Sequence, residues 1–369
     1  MKKKHLILTF CLAALLVLSA CGTSEDPAAP TPELLPEASP APTEYKISDE
    51  SAEEILALAE IPSLKEIDGT TCTEYAAMLE LYNLRPDCKI SWTYNFEGTS
   101  YPNTATELKA TQLEGLEDAI KYLPELNYID VIDTDATIED LDRYYEINPD
   151  AFYYWQFIHD GWRIRTDLQC YSSLRDIGYH RFTDEEMYPM FKYCKHLKAL
   201  DIGHNDITDL TYLGQLKELE VLIIADNPNL VDASPLANLE NLVYLEFFMN
   251  HKVEDYSFLN SLTKLVDLNL CHCENFTDLS FLDNTPDMKF LMFKYSGVST
   301  EDYQDWNERK PDIYMVHFDG NIHSCDSGWR ETARNMAIRR NFAYWPNLTD
   351  YRTYDDTDIN FEKLNYKNY

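Results

Sequence analysis

The densest group of potential metal ligands in this sequence of 369 residues is the run Cys271-His272-Cys273-Glu274. Thiolate and imidazole groups bind zinc well, but no second Cys/His pair lies at the spacing of a zinc finger. Cys271 and Cys273 would share a face only if one strand continued through both residues. We therefore interpret both cysteines as structural residues and predict neither a metal site nor a cofactor.

The remaining patterns with chemical potential are weak. The acidic run Asp355-Asp356-Thr357-Asp358 lacks the glycine and the closing glutamate of a calcium loop, and is typical of a solvated acidic tail. The sequence has no Gly-x-Ser-x-Gly, no His-Glu-x-x-His, no phosphate loop and no dinucleotide fingerprint. We predict that the protein is not an enzyme. The alternative is a hydrolase or transferase that acts on glycans or cell-wall material.

A Leu-x-x-Leu-x-Leu pattern occurs five times at intervals of 22 or 23 residues, and organises the second half of the chain. A fixed period of this length indicates a stacked repeat architecture. Strand alternation points the last two leucines inward, where neighbouring copies bury them. The copies begin at Leu197, Leu219, Leu242, Leu265 and Met288. The residues three positions beyond the end of each copy are Asn205, Asn227, Asn250, Cys273 and Ser296.

These motifs resemble the leucine-rich repeat superfamily and, within it, the internalin-type repeats of bacterial surface proteins. The resemblance implies an α/β fold, a right-handed leucine-rich repeat solenoid with a parallel concave sheet. We expect convex helices in the N-terminal coils and shorter 3-10 or irregular turns in the central coils. The Asn residues should form a buried ladder, because an amide side chain both donates to and accepts from backbone groups of adjacent coils.

Residues 1-20 have the layout of a bacterial lipoprotein signal peptide. Three lysines precede an apolar run from Leu6 to Leu18, and Leu18-Ser19-Ala20 precedes Cys21. We expect Cys21 to become the lipidated first residue. An ordinary secretory signal or a membrane helix is the alternative, although the run is short for a spanning helix. Residues 21-45 combine this Cys with a proline-rich tether, since their composition cannot bury a core.

Residues 46-196 should form irregular coils with helices, and residues 197-320 the regular repeats. Pro86 to Gly98 matches Pro149 to Gly161 at an offset of 63 residues. We interpret the chain as one solenoid of about twelve coils; a separate α/β domain before the repeats is the alternative. The predicted helices are Glu53–Ala59, Glu74–Leu84, Leu116–Leu123, Glu139–Ile147, Glu185–Cys194 and Glu301–Arg309. The predicted strand centres are Ile67, Ile90, Leu108, Ile129, Tyr153 and Ile177.

Residues 321-369 are predicted to be a C-terminal cap and an acidic tail, because the last coil of a solenoid exposes its core. A helix is expected from Trp329 to Phe342. It carries Arg330, Arg334, Arg339 and Arg340. In so acidic a chain, pairing of these arginines with local carboxylates is favoured over a nucleic-acid or membrane patch.

Charge and cysteine content restrict the partners. Removal of the signal peptide takes three lysines and changes the formal charge from -33 to -36. Such a charge repels nucleic acid and anionic membrane surfaces. The seven cysteines left after Cys11 and Cys21 are odd in number and scattered, so they do not indicate a disulfide framework, although one bridge could form.

The expected binding site is the concave face, where strand alternation places the residues that flank the inward leucines. Contiguous apolar side chains at such positions usually mark an interaction surface. The alternatives are that the C-terminal segment folds over this stripe, or that two copies of the chain pair through it. The candidate partner-binding residues are Ile223, Tyr244, Glu246, Phe248, Asn269, His272, Phe290, Met292 and Lys294.

Taken together, these features predict a cell-surface binding or adhesion protein outside the cytoplasm. A single lipid anchor would hold it to the cell membrane, and its concave face would bind a protein or peptide. No nucleic-acid partner is expected, and homo-oligomers remain open. A structural spacer of the envelope, without a discrete ligand, is a further alternative.

Overall fold

A computed structural model describes residues 41–173, 180–317 and 328–330, together with residues 332, 335, 338 and 353–354. The described residues from Glu44 onward form one compact unit. The predicted signal peptide and Cys21 lie outside the described residues. No helix in the described ranges is long and apolar enough to cross a membrane.

The N-terminal coils contribute short sheets rather than one continuous sheet. Strands β1 to β4 form a four-stranded sheet, β5 to β7 a parallel sheet, and β8 and β9 an antiparallel hairpin. Their bounds are β1 Glu44–Lys46, β2 Glu66–Gly69, β3 Lys89–Phe96, β4 Thr99–Pro102, β5 Glu107–Lys109, β6 Tyr128–Asp130, β7 Phe152–Tyr154, β8 Gln156–His159 and β9 Trp162–Arg165.

The regular repeats build one parallel sheet of seven strands, each three residues long. The register places Leu200 beside Leu222 and Leu222 beside Leu245, so the inward leucines form one column. The strands are β10 Cys170–Ser172, β11 Ala199–Asp201, β12 Val221–Ile223, β13 Tyr244–Glu246, β14 Asp267–Asn269, β15 Phe290–Met292 and β16 Tyr314–Val316. A last strand, β17 Thr353–Tyr354, pairs in parallel with β9.

The convex side changes along the chain as the sequence predicted. The six predicted helices occur within one or two residues of their expected bounds, and the central coils carry short 3-10 helices. The α-helices are α1 Ala52–Ala57, α2 Tyr75–Leu84, α3 Leu116–Tyr122, α4 Ile138–Ile147, α5 Asp184–Tyr193 and α6 Thr300–Arg309. The 3-10 helices of the central coils are Leu213–Gln215, Ser234–Asn238, Ser257–Ser261 and Ser280–Asp283.

Two neighbouring helices are joined by a polar cluster on the convex side. The Asp142 carboxylate of α4 accepts hydrogen bonds from Tyr188, Lys192 and Tyr193 of α5. Burial alone would raise the pKa of Asp142, but these hydrogen bonds outweigh it and lower the pKa. The cluster therefore stabilises the packing of α4 against α5 most when Asp142 is ionised.

One apolar core runs through most of the coils, from Phe96 to Met315, and the first coils, from Ile47 to Trp92, form a separate cluster. The core is thus continuous where the sheet is not. The predicted strand centres at Ile67, Ile90, Leu108, Ile129 and Tyr153 all lie in strands. Ile177 lies outside the described residues, and the strand of that coil is Cys170–Ser172.

The 63-residue repeat consists of two equivalent hairpins. Glu97-Gly98 and Asp160-Gly161 form the turns, and all four residues have positive φ, as a type I′ turn requires. At the base of the first hairpin, the Trp92 N–H donates to Asn103 Oδ1 at 3.1 Å. The bases of the two hairpins match, because the Trp155 N–H donates to Thr166 Oγ1 at 2.9 Å.

The ladder of buried amides joins the central coils. Asn250 Oδ1 accepts the N–H of Asn227 at 3.0 Å, while its amide donates to the carbonyls of Ile224 and Phe247 at 3.0 and 2.9 Å. In the next coil, Cys273 Sγ donates to the Phe247 carbonyl at 3.5 Å. Each Asn of the ladder therefore bonds to its own coil and to the preceding one.

Candidate binding face

Two rows of side chains line the concave face of the seven-stranded sheet. The register aligns Val221, Tyr244, Asp267 and Phe290 in one row. The second row aligns Ile223, Glu246, Asn269 and Met292. Strand alternation thus brings six of the nine candidate binding residues together in these rows. Phe248, His272 and Lys294 follow the strand ends of the same coils.

The concave side chains are buried, whereas strand alternation alone predicts that most of them face solvent. Tyr244 is 0% exposed, Phe290 6% and Lys294 2%. The cover comes from the chain itself, because Trp329 and Ile338, both 1% exposed, belong to the same apolar cluster as Tyr244 and Phe290. Of the alternatives left open by the sequence, the C-terminal segment lies on the stripe.

Trp329 is the central contact of this cover. Its ring centroid lies 5.3 Å from that of Tyr244 and 5.1 Å from that of Phe290, with both pairs tilted by less than 40°. Aromatic pairs in this range of distances add to the free energy gained by burial. The indole therefore sits against two coils that are separated by the coil of β14.

An amide in the same segment bonds to the polar part of the face. Asn335 Nδ2 donates to the Tyr244 hydroxyl at 2.5 Å and to Glu246 Oε1 at 2.9 Å. The Tyr244 hydroxyl in turn donates to Glu246. All three side chains are 0% exposed, so these bonds form in a region from which water is largely excluded.

The concave face also carries buried charges, with acids in excess. Asp201, Glu246 and Asp267 are at most 1% exposed, and Lys294 is the one buried lysine among the described residues. Charged groups lose much hydration free energy on burial unless polar partners replace the water. Each of these four residues does take part in such an interaction, whether a hydrogen bond, an ion pair, a ring contact or an electrostatic contact.

Two polar atoms of the covering segment are buried without a hydrogen-bond partner among the described residues. They are the indole nitrogen Nε1 of Trp329 and the amide oxygen Oδ1 of Asn335. A buried donor or acceptor that loses water without gaining a partner costs about 1–3 kcal/mol. The segment is therefore not fully complementary to the face that it covers.

A rim of exposed or half-buried residues follows the strands. His204, Asp226, Met249, His272 and Tyr295 each precede a ladder residue, and all have positive φ between 53° and 64°. This left-handed backbone turns the chain out of the sheet and directs these side chains along one edge of the concave face.

His272 is the best-defined residue of this rim. Its ring stacks on Tyr295 with centroids 4.5 Å apart and planes 16° apart. Burial lowers the pKa of His272, because it disfavours the charged imidazolium; Glu274 opposes this effect and His251 adds to it. The imidazole is therefore neutral at pH 7 and serves as a flat stacking surface.

The cysteines of the run 271–274 lie on opposite faces of the sheet. Cys271 belongs to the concave apolar cluster and Cys273 to the inner core. No group of three or more His, Cys, Asp or Glu residues in the described ranges could hold a metal ion. Six cysteines are described, and each is a buried free thiol. Cys325 and the acidic run 355–358 lie outside the described residues.

The sequence indicated only part of this site. Arg330 is half-buried beside Trp329, and the other three arginines of the predicted helix lie outside the described residues. The positions of Trp329 and Asn335 on the face were not predicted. A signal was present for Asn335 and Ile338, because their spacing of three places them on one helix face.

The stacked coils, the parallel sheet and the ladder define a leucine-rich repeat solenoid, with a concave face covered by its own C-terminal segment. No protein-family model matches the chain, and no curated protein resembles it in sequence. Among solved structures the chain is similar to internalin C2 of Listeria monocytogenes, at 23% identity and a TM-score of 0.32, covering 57% of this chain and 77% of that one.

Other solved structures share this likeness. Internalin F of Listeria monocytogenes is 16% identical with a TM-score of 0.33, over 72% of this chain and 64% of that one. A leucine-rich repeat protein of Leptospira interrogans is 13% identical with a TM-score of 0.30, over 70% of this chain and 74% of that one. At these identities and TM-scores the likeness is no guide to a ligand.

Proposed function

We propose that the protein is an extracytoplasmic binding protein, held at the cell membrane by a lipid on Cys21, whose concave face binds a protein or peptide. The observation that carries the proposal is the contact with Trp329 and Asn335. A face that buries an indole between Tyr244 and Phe290 and bonds an amide at Glu246 has the chemistry of a peptide-binding surface.

The composition of the face supports this function over that of a spacer. Its apolar cluster contains Ile223, Phe248 and Met292 at positions that would be polar in a sheet whose concave face stayed in water. Aromatic and long apolar side chains around a few buried polar groups are typical of binding sites. The rim pair His272 and Tyr295 extends this surface beyond the covered part.

The binding face is tested by affinity capture with the full chain against envelope and host extracts. Phe290→Ala on the concave face should abolish capture of a specific protein. Phe281→Ala is the matched control, because Phe281 is equally buried but lies in the convex 3-10 helix Ser280–Asp283. Equal capture by both variants, with similar melting temperatures, would place the binding surface elsewhere.

The anchor is tested separately. Cys21→Ala should abolish acylation and release the protein from membranes, because the lipid on Cys21 is the only attachment that we propose. Fractionation after a carbonate wash measures this. Retention of the variant in the membrane pellet would contradict the lipid anchor and leave the binding face untouched.

A further inference from the structure

We propose that the partner of the concave face is a basic, amphipathic peptide segment and that the segment carrying Trp329, Asn335 and Ile338, the resident segment, occupies its site in the free protein. The partner would present a tryptophan, then an amide six residues later and an aliphatic side chain three residues after that. This inference rests on the proposed function and names the chemistry of its partner.

The apolar part of the pattern comes from the contacts of the resident segment. Trp329 fills the space between Tyr244 and Phe290, and Ile338 joins the same concave cluster. Asn335 and Ile338 are both helical, and their spacing of three places them on one helix face. A short helix laid in an apolar groove is a recurrent mode of peptide recognition.

The polar part comes from Glu246. Its carboxylate accepts the Asn335 amide at 2.9 Å, and the Tyr244 hydroxyl is both a donor to Glu246 and an acceptor from Asn335. Asn335 thus uses both amide hydrogens. A hydrophobic residue at this position would leave a buried carboxylate and hydroxyl with fewer donors, so the site selects an amide or another double donor.

The charges of the concave face predict the sign of the partner's net charge. The concave face buries the acids Asp201, Glu246 and Asp267 against one lysine, Lys294. The stretch from residue 326 to residue 342 contains four arginines against Asp326 and Glu331, in a chain where acids outnumber bases by 64 to 31. The sequence around Trp329, Asn335 and Ile338 is therefore locally basic, and a competing segment would need the same sign of charge.

The resident segment is suited to exchange with a partner. The Trp329 indole nitrogen and the Asn335 amide oxygen are buried without partners among the described residues, so its own binding is imperfect. It also belongs to the concave cluster and not to the inner leucine core. The solenoid can therefore keep its coils while the face is vacated.

The experiment measures binding of a fluorescein-labelled peptide with the sequence of residues 326–342. The titrations compare the full chain, purified in detergent, with the full chain carrying Trp329→Ala and Asn335→Ala. The unmodified chain should bind weakly, since the tethered segment competes at an effective concentration on the order of millimolar. The double variant should bind at least about ten-fold more tightly, because its face is available.

Control peptides test whether binding depends on the order of the residues or on net charge alone. A peptide with alanine in place of the tryptophan and the first asparagine should bind at least about ten-fold more weakly, since it loses both anchors. A scrambled peptide of identical composition should do the same. Equal binding of the scrambled peptide, or no binding of the native peptide to the double variant, would overturn the proposal.

A second variant guards against misfolding. Ile338→Ala removes one apolar contact. It should also raise the affinity for the peptide, with an unchanged circular dichroism spectrum.

Phe290→Ala added to the double variant should abolish the gain in peptide affinity if the peptide binds the concave face. A retained gain in affinity would refute this placement.

The outcomes distinguish this proposal from the proposed function. Specific peptide binding without capture of any external protein would support the groove chemistry and defeat the wider binding role. Capture of a partner that depends on Phe290, without binding of the peptide, would keep the binding role and refute the chemistry proposed here.

Discussion

At the scale of single residues, Asn250 joins two coils. Its side chain satisfies the N–H of Asn227 and the carbonyls of Ile224 and Phe247, and it is 0% exposed. Asn250→Leu would leave the Asn227 N–H buried without its partner, and would remove one donor from each of the two carbonyls, which keep Asn227 Nδ2 and Cys273 Sγ. We expect the variant to lose about 1–3 kcal/mol of unfolding free energy, measured by denaturant titration.

Asn238 is the matched control for this substitution. It lies at the end of the 3-10 helix Ser234–Asn238, and its side chain is exposed. Asn238→Leu should change the unfolding free energy by about 0.5 kcal/mol or less, as surface substitutions usually do. If the two variants unfolded at the same denaturant concentration, the ladder would not have the role assigned to Asn250.

The ladder was predictable because it depends on local chemistry repeated at a fixed interval. The sequence identified Asn205, Asn227 and Asn250, and it also identified Cys273 as the ladder residue of the next coil. The burial of Tyr244 was not predictable in the same way. It depends on Asn335, which is 91 residues distant, and no periodic signal relates the two positions.

At the scale of elements, Asp142 links α4 to α5. Its folded-state pKa lies below the ordinary value of 3.8, so its contribution to stability is present above pH 3.8 and lost as pH falls through the folded-state pKa. We expect Asp142→Asn to lose about 1 kcal/mol at pH 7, a modest value because the carboxylate is partly exposed.

The pH dependence provides the check on this link. Thermal melts of the wild type and of Asp142→Asn should differ at pH 7. The difference should begin to shrink as pH falls below about 3.8 and should vanish once the pH is below the folded-state pKa of Asp142. A difference that stayed constant from pH 7 to pH 3 would mean that the charge of Asp142 does not stabilise the helix pair.

The two hairpins show how much of the N-terminal structure the 63-residue repeat predicts. The offset of 63 residues correctly indicated that Pro86–Gly98 and Pro149–Gly161 are equivalent, but we had expected coils and not hairpins there. Asp160-Gly161 carried the missing signal, because Asp-Gly favours a type I′ turn, whereas Glu97-Gly98 supplies only the glycine of such a turn. The hairpins also interrupt the regular spacing of strands, which explains why the N-terminal sheets are separate.

At the scale of the whole molecule, charge opposes compactness. The chain has 64 acidic and 31 basic residues, so its carboxylates repel one another at low ionic strength. The screening length falls from about 30 Å at 0.01 M salt to about 8 Å at 0.15 M. We expect the melting temperature to rise by about 2 °C or more between these concentrations of sodium chloride.

Sucrose at matched osmolality serves as the uncharged control and should not reproduce the low-salt dependence. A melting temperature that is flat or falls with added sodium chloride would indicate that ion pairs, which salt weakens, outweigh the general repulsion.

The sheet is buried on both faces, and this predicts how the molecule opens. The inner core and the concave cluster share no residue, so detachment of Trp329 and Ile338 disrupts one cluster and spares the other. The backbone pairing of β11 to β15 involves only neighbouring strands and survives that detachment. Native-state hydrogen exchange should therefore resolve two cooperative units. The amide of Asn335 would exchange through a low-energy opening, while those of Leu222 and Leu245 would exchange only with global unfolding.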